Sequence, residues 1–105
     1  MNVTTIERLV RMMGSRAAVA DFLGTRSAVV ATWLEGHAAP NGRDARRMAA
    51  LLLVLERVQL LPEERRHRGW LRLPHAALDG ATPEDVLLVD GPDRILAIID
   101  DELGR

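Results

Sequence analysis

Glycine and proline cut this chain into short amphipathic segments, and that punctuation limits the fold more than any other feature. Gly14-Ser15, Gly24-Thr25 and Gly36 fall early, Pro40-Asn41 and Pro62 in the middle, and Gly80-Ala81-Thr82-Pro83 and Asp90-Gly91-Pro92 late. Between the breaks, apolar residues recur three and four positions apart, the helical period. No segment reads as a strand. An all-α fold is expected.

The segments can be taken in order. Asn2 or Thr4 can cap a first helix with Ile6, Leu9, Val10 and Met13 on its apolar side, ended by Gly14. Ser15 opens a second, with Val19, Phe22 and Leu23 inside and Gly24 at its close. Thr25 can cap a third through Leu34, where Val29, Val30, Trp33 and Leu34 are apolar; Gly36 stops it and Ala39-Pro40 forbids continuation. Asn41, with Asp44 three residues on, caps the longest helix. Its positions Met48, Leu51, Leu52, Leu55, Val58 and Leu61 (or Leu60) are apolar, and Ala49, Ala50, Leu53 and Val54 widen that face. A helix apolar nearly all round for two turns is expected to be buried on more than one side, either as the central core element or partly against a second copy. Pro62 ends it. Residues 63–69, EERRHRG, read as a charged connector or one helical turn, marking the boundary between a module 1–61 and a module 62–105.

In the last third, Gly80 can take the positive φ that ends a helical turn. Thr82 suits an N-cap, Pro83 the first helical position, and Asp85 the acidic place of a capping box. A short helix is expected from Thr82 to about Val89, with Val86, Leu87 and Val89 or Leu88 inside. Gly91 can cap and Pro92 start a last helix, with Asp93 near its positive end and Ile95, Leu96, Ile98, Ile99 and Leu103 apolar. Asp100, Asp101 and Glu102 lie in its last turns, the unfavourable end for acids. Either they serve another purpose, such as meeting an arginine of a partner, or the helix frays there.

Composition excludes several functions. There is no cysteine, hence no disulfide, thiol nucleophile or cysteine zinc site. His37, His67 and His75 form no metal-ligand spacing, Ser15 and Ser27 lack a nucleophile's context, and no glycine-rich phosphate loop follows a strand. Adjacent acids such as Glu63-Glu64 and Asp100-Asp101 point different ways on a helix and make poor acid–base pairs. A binding protein without metal or cofactor is expected, not an enzyme. The longest apolar run, Met48–Leu55, has 8 residues, against ~20 for a membrane span. The charged N-terminus, MNVTTIERLVRMMG, lacks the apolar stretch of a secretory signal, so a cytoplasmic protein is expected. Net charge is −1 at pH 7, but the first 61 residues hold eight Arg against five acids and the remainder six against ten. That asymmetry suits a nucleic-acid-facing module joined to a protein-facing one, and equally a solvated surface of no special purpose.

Two resemblances add to this reading. The short helices flanking Leu23-Gly24-Thr25 read as a helix-turn-helix, and residues 17–36, with Leu23-Gly24, Trp33 and Gly36, resemble its Xre type. Trp70, Leu71, Pro74, Leu78, Gly80, Thr82, Pro83, Asp85, Leu87 and Leu88 fall in the pattern W-L-x-x-P-x-x-x-L-x-G-x-T-P-x-D-x-L-L. That pattern resembles the C-terminal toxin-binding domain of the Xre/MbcA/ParS antitoxin family. The resemblance implies an all-α helical bundle with an N-terminal Xre-like helix-turn-helix and a small C-terminal toxin-binding module. It implies an antitoxin that covers the active site of a RES-domain, NAD-degrading toxin, that forms a homodimer, and that binds operator DNA to repress its own operon.

By the same resemblance Trp70, Pro74, Leu78, Gly80, Thr82 and Pro83 shape the toxin-binding module. Exposed neighbours, Arg72, His75 and Arg94, together with Asp100, Asp101 and Arg105 in residues 100–105, are expected to meet the toxin. Family members often continue past the last helix with a glycine–valine–aromatic ending, where this sequence reads Leu103-Gly104-Arg105. For DNA, a recognition helix must present groups that reach bases or phosphates. Arg26, Ser27 and Thr32 are the candidates, Ala28 and Val29 reach at most a thymine methyl, and Arg43, Arg46 and Arg47 can meet phosphates. The chemistry of a DNA reader is thin. A small helix-turn-helix regulator, or a dimeric partner-binding module without a toxin, are the competing readings.

Overall fold

In the computed structural model, six α-helices account for nearly all regular structure, and no strand occurs among the described residues, 1–62 and 69–104. The chain divides into two units, Met1–Met48 and Ala49–Arg105. The all-α expectation holds.

In the N-terminal unit, α1 (Val3–Met13), α2 (Arg16–Leu23) and α3 (Ser27–Leu34) pack against one another. Of the two cap candidates for α1, Asn2 is used: its Oδ1 accepts from the Thr5 amide at 2.8 Å. Ser15 caps α2 likewise, its hydroxyl oxygen accepting from the Ala18 amide at 3.0 Å. Each cap satisfies one of the amides a helix start leaves without a partner. The buried residues are those the helical period selects: Ile6 and Leu9, then Val19, Ala20, Phe22 and Leu23, then Val30 and Trp33. Each fully buried aliphatic side chain stabilises the fold by ~2 kcal/mol.

The start of α3 departs from expectation. Arg26, not Thr25, occupies the N-cap, and no side chain caps the helix. The cause lies in the preceding turn. Gly24 turns left-handed, and the Thr25 amide donates back to the Ala20 carbonyl at 2.9 Å. This Schellman-type closure of α2 draws Thr25 into the end of that helix and delays the next by one residue.

Helix α4 (Gly42–Val58) starts where expected, with Asn41 Oδ1 accepting from the Asp44 amide at 2.8 Å. It is regular only to Val58; Leu60 and Leu61 follow in tighter turns, their amides bonded to the Arg57 and Val58 carbonyls. Its burial is also narrower than its composition. Met48, Leu51, Val54, Leu55, Val58 and Leu61 are buried, Leu52 is half-buried, and Leu53 and Leu60 stand 51% and 52% exposed. The expected connector at 63–69 lies, but for Gly69, outside the described residues, as do His67 and Arg105.

The C-terminal unit then runs through two 3-10 turns, Trp70–Arg72 and Ala76–Leu78, into α5 (Pro83–Asp90) and α6 (Asp93–Glu102). Helix α5 packs on α6 and on the Trp70–Arg72 turn. Pro92 proves to be the N-cap of α6, not its first helical residue, with φ −87° and ψ −15°. The reason is Gly91, which closes α5 by donating to the Leu87 carbonyl and does so at φ 84°, ψ −167°. That region is open to glycine alone among the common residues, and it reverses the chain abruptly between the two helices.

Candidate functional site

The stretch from Trp70 to Leu88 folds as one connected piece. Trp70 and Leu71 are buried at its start and Leu78 at its middle. Between them, residues 75–81 form a closed loop tied at the His75 backbone. The His75 amide donates to the Ala81 carbonyl (3.1 Å), while its own carbonyl accepts from the Leu78 and Gly80 amides (2.9 and 3.0 Å). The loop reverses at Asp79 and Gly80, both left-handed at φ 57° and 85°, with the Ala81 amide donating to the Leu78 carbonyl at 3.0 Å. Two positive φ values in succession are the geometry of a type I′ turn, and Asp-Gly is among the dipeptides that adopt it at least cost.

That loop delivers Thr82 to the start of α5. Its hydroxyl oxygen accepts from the Asp85 amide at 3.1 Å. Pro83 follows at the first helical position and is buried, so the missing amide costs nothing. Val86 and Leu87 carry the buried side of the helix. Of the two alternatives for the next apolar position, Leu88 is half-buried and Val89 is 82% exposed. An α-helix of eight residues has room for one buried stripe, and Val86 and Leu87 fill it.

Most of the pattern residues are therefore frame. The surface is built by others. Arg72 Nε lies 3.4 Å from Glu84 Oε2, linking the first 3-10 turn to the first turn of α5; the arginine is exposed, whereas the Glu84 side chain is only 16% exposed. Arg94 is exposed and lies 3.7 Å from Asp90 and 4.0 Å from Asp79. Leu73, Pro74, Val89 and Asp101 are exposed as well.

Two expectations about this surface change. His75 is half-buried, not an exposed contact: its ring packs on Trp70 with centroids 4.9 Å apart and planes at 54°, and its Nε2 is 3.4 Å from the Trp70 carbonyl. With this ring contact and the backbone bonds of residues 75–81, His75 anchors the loop. Asp100 has its arginine within its own chain, where Arg57 Nη1 donates to Asp100 Oδ1. The acids at the end of α6 thus need no partner protein to explain the first of them. Sequence reasoning does not single out Val89 and Leu73 as surface residues; it leaves Val89 or Leu88 as the inward position, because the helical period alone does not say where a short stripe ends.

In the N-terminal unit the candidate DNA contacts sit at the open end of α3. Arg26, Ser27 and Ala28 are exposed, and Val29 is 37% exposed. Thr32 is half-buried and its hydroxyl donates to the Val29 carbonyl at 2.6 Å, which occupies its proton within the helix. Arg43 and Arg46 are exposed and Arg47 half-buried along the first turns of α4. Among the described residues no group of three His, Cys, Asp or Glu side chains could hold a metal ion. None of the helices there is long and apolar enough to cross a membrane.

The C-terminal unit is thus an apolar frame under a rim of arginines, acids and isolated apolar side chains. Comparison with known families shows what this part of the chain is similar to. Residues 58–104 match the family model described as the antitoxin Xre/MbcA/ParS C-terminal toxin-binding domain. Over those residues the chain is similar to that toxin-binding domain, which supports a role as an antitoxin with a toxin as partner. No curated protein and no solved structure matches the chain significantly.

Proposed function

We propose that this antitoxin neutralises a RES-domain, NAD-degrading toxin by covering its active site with the C-terminal module, residues 62–105. It acts by binding and not as an enzyme, in the cytoplasm, and as a homodimer. The observation that carries the reading is the toxin-binding family match over residues 58–104, joined to a spacing from Trp70 to Leu88 in which most of the pattern residues form the frame. The toxin contacts are assigned to Arg72, Pro74, Arg94, Asp101 and the residues leaving α6, including Arg105, over the framework of Trp70, His75, Thr82 and Pro83. Co-expression with a RES-domain toxin encoded beside the chain tests it. Rescue of growth and of cellular NAD, with co-elution of the two proteins on a sizing column, is the expected result; depleted NAD without a complex would defeat it.

A second activity is supported by one feature of the N-terminal unit, the exposed first turn of α3. We assign to it operator binding through Arg26 and Ser27, with Arg43, Arg46 and Arg47 on phosphates, serving autorepression. Few basic groups are involved, so affinity for the upstream promoter should fall with salt at a slope set by those arginines, and Arg26→Ala should flatten it by about one charge. A salt-independent affinity would count against DNA binding altogether.

A further inference from the structure

Helix α6 has little of its own to fix its position. Its N-cap, Pro92, makes no side-chain capping bond, and its last turn carries acids and no base. Acids at that end oppose the helix dipole. Ile95 and Ile99 bury its inner side and decide which face of the helix turns inward. A polar contact reaches its last turn from the last turn of α4, where Arg57 Nη1 donates to Asp100 Oδ1 across 43 residues of sequence. Both side chains are mostly covered, at 34% and 35% exposure. The pairs of Arg94 with Asp90 and Asp79 are longer and more open, so they fix less.

We infer that Arg57 is a positioning residue for toxin binding: by holding Asp100 inward it sets how the last turn of α6 presents Asp101 and the chain through Leu103 and Gly104 to the toxin. Asp100 itself then makes no toxin contact. The inference rests on the toxin-binding reading above and deepens it by dividing the acids of α6 into one that is internal and one that is presented. Arg57 lies one residue outside the family match and on a different helix from every contact residue proposed.

The test uses the full chain, its RES-domain toxin, and four variants: Arg57→Met, Asp100→Asn, the two combined, and the reversal Arg57→Asp with Asp100→Arg. Toxin affinity is measured well below the unfolding temperature of each variant, which is determined separately. Each single substitution is expected to weaken binding on the order of fivefold. The combined variant should be no weaker than either, and the reversal should recover most of the loss. Loss in Asp100→Asn with none in Arg57→Met would overturn the inference by making Asp100 a direct contact. Wild-type affinity in all four would reduce the pair to a support of the fold. A wild-type chain that fails to bind the toxin would overturn the toxin reading and this inference with it, a result visible before any variant is compared.

Discussion

Replacing Thr82 by alanine should destabilise the C-terminal unit by about 1 kcal/mol, in the middle of the usual cost of losing an N-cap side chain. The local structure explains why the loss is not absorbed. A helix start leaves its first amides without intrahelical partners. In α5 the first of these is absent, because Pro83 has no N–H, and the Val86 amide reaches the Thr82 carbonyl at 3.1 Å. Only the Glu84 and Asp85 amides remain, and the Thr82 hydroxyl oxygen serves the second at 3.1 Å. Alanine would leave it to water, while serine should keep the bond and nearly full stability. Thr25→Ala is the control. Both threonines follow a glycine turn and precede a helix, but only the backbone of Thr25 is engaged, so its replacement should stay within about 0.5 kcal/mol of wild type. Urea titration followed by tryptophan fluorescence and far-ultraviolet circular dichroism measures all three, and for a chain of this size 1 kcal/mol corresponds to roughly 4–8 °C in Tm. Equal losses at Thr25 and Thr82, or none at Thr82, would refute the capping argument.

Other substitutions probe other links. Gly91→Ala should cost about 1–3 kcal/mol through backbone strain alone, since φ is 84° there and an added Cβ would meet nothing within 4 Å; a thermal melt unchanged from wild type would show that the α5–α6 reversal tolerates another conformation. Ile99→Ala removes a fully buried side chain from α6 and should cost roughly 2–5 kcal/mol in chemical denaturation. Val89→Asp should leave stability within about 0.5 kcal/mol of wild type, its side chain being 82% exposed, yet weaken toxin binding in a pull-down; retained binding would take Val89 off the interface.

Much of the fold was legible because helix boundaries are written locally. Asn2, Ser15, Asn41 and Thr82 are side chains that can satisfy an amide three residues on, and each does so. The buried positions follow from a period that needs no knowledge of the neighbour. What escaped depends on the neighbour. Thr25 has the right chemistry for a cap but was claimed by the end of the preceding helix. Val89 has the right hydropathy for a core but falls past the stripe that α5 can bury. The four-residue run Leu51–Val54 reads as apolar all round, yet Leu53 faces out. The pairing of Arg57 with Asp100 joins two helices across 43 residues, and no spacing rule acts over that distance. In the site, the frame was legible and the rim was not: His75 and Asp100 both carry groups suited to a partner, and both are turned to partners inside the chain.

This division bears on what a family pattern can say about function. Trp70, Leu71, Leu78, Pro83 and Leu87 are buried, Leu88 is half-buried, Thr82 holds a helix start, and Gly80 completes a turn. Of the ten pattern positions, Pro74 and Asp85 stand exposed as side chains. A pattern made of such residues identifies the domain because the domain cannot be built without them, and for that reason it is nearly silent about which toxin is bound. On the proposed reading, partner choice falls to exposed residues that the pattern leaves free, such as Arg72, Leu73, Val89, Arg94 and Asp101. Exchanging those five for the residues of another member should move affinity toward that member's toxin at little cost in stability, whereas exchanging pattern residues should cost stability first and binding as a consequence. The same order of events separates the two kinds of residue in any mutant series: a loss of affinity with the melt unchanged marks the rim, and a loss that follows the melt marks the frame.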